Sequence, residues 1–122
     1  MLAFHVSLAF LTVHELDAIR CKEWRIFPGL SLLDDRYGIM TFIFAHVPLF
    51  VWIFYNLSGI QAESSSAFRI GFAIFSVIHI LLHALLFKNL KNEYRDWVSW
   101  TLIIGAGVFG LVDLLILWRL IS

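Results

Sequence analysis

Residues 2–24 read LAFHVSLAFLTVHELDAIRCKEW. The stretch opens as an apolar run, yet His14, Glu15 and Asp17 arrive before the first cation, Arg20. A helix crossing a bilayer core takes about 20 residues at about 1.5 Å each, so these three side chains lie inside the span rather than beyond it. Charged groups in hydrocarbon cost roughly 2.5–3.5 kcal/mol each on insertion scales, and are therefore paired, line a cavity or do chemistry. The remaining residues must supply their partners.

Composition sets the class. The chain has 122 residues, 61% of them hydrophobic, with mean hydropathy +0.86, whereas soluble domains hold about 45–50% apolar residues. An integral membrane protein of one domain, residues 1–122, is expected. Net charge is zero and no basic run occurs, which removes a phosphate-tracking nucleic-acid surface. The single cysteine, Cys21, leaves no intrachain disulfide and no thiolate cluster. The opening run lacks a basic leader and a small-residue cleavage site, so it is read as a retained helix.

Spans are expected over about 2–19, 38–60, 68–87 and 97–118. Their connections are short, predicting an all-α, antiparallel, up-down-up-down four-helix bundle in the membrane. Seven of nine cations, Arg20, Lys22, Arg25, Arg36, Lys88, Lys91 and Arg95, fall in the first and third connections. By the positive-inside rule those connections are cytoplasmic and both termini extracytoplasmic. Trp24, Trp97, Trp100 and Trp118 fall near span ends and read as interfacial anchors. QAESSSA, residues 61–67, reads as a connection. GAGVFG, residues 105–110, supplies small residues for close helix approach.

At about 1.5 Å per residue, His14 lies about 9 Å, His46 about 12 Å, His79 about 13 Å and His83 about 8 Å inside the same membrane face. Three helices thus bring four histidines to one layer. His79 and His83 are an i, i+4 pair and His14 and Asp17 an i, i+3 pair, each projecting from one helix side. Imidazole with carboxylate suits zinc or non-haem iron, so His14, Asp17, His46, His79 and His83 are candidate ligands. Glu15, about 100° round the helix from His14, is the candidate general base. Pro48, two residues after His46, is expected to kink its helix and aim that imidazole inward. In the other membrane half, His5 and Asp113 are candidates to pair.

A metal-bound water would supply a nucleophile without serine or cysteine, which favours hydrolysis over oxidation, with a lipid or other apolar small molecule as substrate. Two readings stand beside it: a proton or ion path through the His, Asp and Glu groups, and a haem-binding redox protein. Four helices of this length enclose little space, which makes a homo-oligomer possible.

The H-x-x-x-H of His79 and His83 resembles the first histidine box of membrane fatty-acid desaturases and hydroxylases. It also resembles the zinc-binding H-x-x-x-H of the alkaline ceramidase and adiponectin-receptor group. Both resemblances imply a metal centre acting on lipids. Length and arrangement are similar to small bacterial four-helix membrane proteins of unknown function with an H-x-x-E-E motif, which implies a bacterial inner-membrane location. Here His14 is followed by Glu15, Leu16, Asp17 and Ala18, a departure from that motif.

Overall fold

The structure, a computed structural model, describes residues 1–58, 62–89 and 91–121. It is all-helical, with α1 Leu2–Arg20, α2 Asp35–Leu57, α3 Ala62–Leu86 and α4 Trp97–Ile121. Each contains a stretch long and apolar enough to cross a membrane. Two short 3₁₀ turns, Glu23–Arg25 and Leu30–Leu32, lie between α1 and α2. Pro28 and Gly29 separate those turns, and Gly29 takes φ 89°, a conformation that costs a residue without Cβ little.

Boundaries differ from the sequence reading in three places. First, α2 starts at Asp35, because acidic residues at a helix start oppose the positive end of its dipole. Its expected last residues, 59 and 60, lie outside the described ones. Second, α3 starts at Ala62, so the Ser-rich stretch expected to be a connection is helical from there, and Gln61 lies outside the described residues. Serine competes with a helix least in its first turn. Third, α4 runs past Trp118 to Ile121.

The helices do not share the core equally. α4 packs along both α1 and α3, while α2 lies to one side, against the two 3₁₀ turns and α3. Only Gly38, Phe42 and Ile53 of α2 are buried, leaving Phe44, Val51, Phe54 and Tyr55 facing outward. In α1, α3 and α4 the small and polar residues that turn inward recur every seven positions: Ser7 and His14; Arg69, Ser76 and His83; Ser99, Ala106 and Asp113. That spacing keeps them on one seam of each helix. Ser7 Oγ donates to the Ala106 carbonyl (2.6 Å) and Ser76 Oγ to that of Phe72 (2.9 Å), so neither hydroxyl is stranded in the core.

Two apolar clusters lie at different depths, one of Phe4, Leu11, Ile53, Phe68, Phe72 and Ala106, the other including Ala18, Trp24, Phe42, Tyr94 and Ile103. Trp97 and Trp118 are exposed at the ends of α4, as anchors should be. Trp24 is not an anchor. It is buried against Gly38, where any Cβ would stand 2.7 Å from its ring, and its indole N–H reaches Asp35 at 3.2 Å. Asp113 likewise has a partner other than the expected His5. Arg69 grips it at 2.7 and 3.3 Å, while His5 is exposed and bonds to the Met1 carbonyl.

Candidate metal centre

α1 and α3 bring three imidazoles together. His14, His79 and His83 pack edge to face with ring centroids 4.6–5.0 Å apart, and their ligand atoms all lie within 4.8 Å of one another. His79 Nε2 and His83 Nε2 are 3.1 Å apart. All three residues are buried, His14 fully. Among the described residues, both ring nitrogens of His14 and Nδ1 of His83 have no hydrogen-bond partner. A buried polar group left without a partner costs about 1–3 kcal/mol, so three such atoms in one cluster need a physical reason.

Two residues outside the spans complete the wall. Just past Cys21 the chain turns through Lys22, at φ 51°, into the 3₁₀ turn that carries Glu23 back beneath the triad. Glu23 Oε2 stands 3.8 Å from His14 Nε2, and Oε1 stands 3.7 Å from His83 Nε2. Tyr94, from the connection before α4, is fully buried and donates its hydroxyl to Glu23 Oε2 at 2.7 Å. Burial pushes the Glu23 carboxyl up to about 7, against the opposing pull of that hydrogen bond. Burial, then the Glu23 charge, pushes the Tyr94 phenol up as well, so it stays a donor.

Ligands about 2.0–2.1 Å from a tetrahedral ion stand about 3.3 Å from one another. The 3.1 Å between His79 and His83 and the 3.7 and 3.8 Å to Glu23 bracket that spacing. The three histidines form a group that could hold a metal ion, and the Glu23 carboxylate stands beside two of them. Edge-to-face rings this close leave no planar slot for a haem between them.

The other sequence candidates are engaged elsewhere. The Asp17 carboxylate accepts from Arg20 Nε and from Ser99 Oγ, each at 2.6 Å, and Arg20 continues to Asp96 at 2.7 Å. It pins α1 to α4. His46 sets Nε2 against Glu15 Oε2 at 2.7 Å and Nδ1 against the Phe42 carbonyl at 2.6 Å, so both its nitrogens already face acceptors. Glu15 and His46 form a seam between α1 and α2 beside the triad rather than within it. Glu23 and Tyr94 were not singled out in the sequence because each sits among charges, in RCKEW and KNEYRD, where an interfacial, solvated position is the ordinary reading.

Over residues 1–120 the chain matches a family described as a family of unknown function, DUF6713. The chain belongs to this family. No curated protein and no solved structure matches it.

Proposed function

We propose that the protein is a membrane metalloprotein in which His14, His79 and His83 hold a divalent ion, zinc or non-haem iron, with Glu23 as the fourth ligand. The observation that carries this reading is the convergence of three buried imidazoles, with both nitrogens of His14 and Nδ1 of His83 lacking a hydrogen-bond partner among the described residues. Histidines that only glue helices together are held by a hydrogen bond to another helix, as His46 is by Glu15. Among the described residues His14 has no such bond. The seven cations at one end support an orientation with the first and third connections on the cytoplasmic side.

A second reading, hydrolysis of a lipid or other apolar small molecule, is favoured by the position of Glu23 beside the three histidines. A bound zinc or iron ion would lower the pKa of water beside it. Glu23, beside His14 and His83, rather than Glu15, which is bonded to His46, would then be the carboxylate near enough to take that water's proton.

Protein purified without chelator should carry about one ion per chain by elemental analysis. His14→Gln, His79→Gln and His83→Gln should each lose it, while Asp17→Asn and His46→Gln should keep it. Glu23→Gln separates the two readings, weakening metal binding if the carboxylate is a ligand and leaving it unchanged if the carboxylate is a base. Metal-free protein whose thermal stability does not respond to zinc or iron would overturn the metal centre.

A further inference from the structure

Tyr94 is held in place with more care than a packing residue needs. Its backbone N–H donates to Asn92 Oδ1 at 2.9 Å, and Asn92 Nδ2 reaches back to the Phe87 carbonyl at 3.3 Å. Its carbonyl accepts from the Trp100 indole at 3.2 Å. The connection between α3 and α4 is thus anchored at both ends and places a phenol in the interior. The ring lies 4.6 Å from that of His83 and 5.5 Å from that of His14, so it contacts residues of two helices and, through its hydroxyl, a third segment.

Ion pairs flank that hydroxyl. Lys22 and Arg25, the neighbours of Glu23 in the first connection, both reach Glu93 at 3.3 Å, and Arg20 reaches Asp96. The first and third connections are therefore tied to each other beside the triad. Exposed pairs of this kind contribute little each, about 0–1 kcal/mol, whereas the Tyr94–Glu23 bond is the one that is buried and points at the candidate ion. Hydrogen bonds from outside a metal site that orient its ligands typically change affinity 10–100-fold.

We infer that Tyr94 is the positioning residue of the centre: its hydroxyl holds the Glu23 carboxylate toward the three histidines, making the third connection part of a metal site whose ligands come from α1, α3 and the first connection. This rests on the metal-centre reading with Glu23 as a ligand. Removing only the hydroxyl should leave the ring packing intact and free the carboxylate to rotate.

The test uses cobalt(II) as the probe ion, because its visible absorption reports ligand identity and geometry. Full-length protein in detergent is titrated as wild type, Tyr94→Phe, Glu23→Gln and the double variant. Tyr94→Phe should bind cobalt about tenfold or more weakly, with a shifted visible spectrum. If Tyr94 acts through Glu23, the double variant should bind no more weakly than Glu23→Gln alone. A Tyr94→Phe protein with wild-type affinity and spectrum would overturn the inference, as would losses that add in the double variant. Should Tyr94→Phe fail to fold, Asn92→Ala loosens the same turn and keeps the hydroxyl. A smaller loss of affinity with the same spectral change then supports the inference, and no change overturns it. Wild-type protein that binds no cobalt, zinc or iron overturns both the metal centre and the role of Tyr94. Wild-type binding with an unaffected Tyr94→Phe overturns the role alone.

Discussion

At the residue scale, neighbours in sequence have unlike jobs. His14 and Glu15 are adjacent, yet one faces α3 in the triad and the other bonds His46 of α2. About 100° per residue round a helix is enough to send them to different partners. His46→Gln should keep the ion and lower stability by no more than about 0.6 kcal/mol, the average worth of an interhelical hydrogen bond in a membrane. Metal analysis and a melting curve on the same sample check both. Ionisation of Glu23 gives a further expectation. Its folded pKa, about 7, lies above the ordinary 4.5, so its contribution to the stability of metal-free protein is present below about 4.5 and lost as pH rises through about 7. A metal ligand must be ionised, so affinity should fall as pH drops below about 7, and less steeply in Glu23→Gln. Titrations at pH 6 and pH 8 on both proteins, roughly one unit to either side of that value, measure the difference.

At the element scale, glycines record where helices touch. A Cβ on Gly107 of α4 would meet the Ile80 side chain and stand 3.0 Å from the Ser76 carbonyl, whereas one on Gly71 of α3 would meet nothing within 4 Å. Gly107→Ala should therefore destabilise by about 1–3 kcal/mol through overpacking. Gly71→Ala should be neutral, or stabilise by up to about 1 kcal/mol through helix propensity. Thermal unfolding in detergent distinguishes them. Pro48 belongs to this scale too. It removes a backbone donor within α2 two residues after His46, and that imidazole points to Glu15 rather than the triad. Pro48→Ala should thus leave bound metal unchanged. Loss of the ion in a folded Pro48→Ala protein would mean that α2 takes part in the centre.

At the scale of the whole molecule, the proposed orientation rests on charge. With seven of nine cations in two connections, a reporter fused at Ser122 should be active only outside the cytoplasm, and activity inside would reverse the assignment. The four apolar runs, and so an all-helical membrane fold, were legible in the sequence because burying backbone in hydrocarbon demands helices of a length that composition displays. That His14, His79 and His83 reach one layer was legible too, since rise per residue is fixed. Which polar residues meet was not. Asp17 and Glu23 are both carboxylates near the end of α1, and spacing favoured Asp17 as a partner of His14. The tertiary structure turns Asp17 to Arg20 and Ser99, and folds Glu23 back under the triad. Helix periodicity gives the direction of a side chain on its own helix. A partner contributed from a turn after a left-handed residue, or from a connection 71 positions away as Tyr94 is from Glu23, depends on how the helices pack, and only the folded chain decides that.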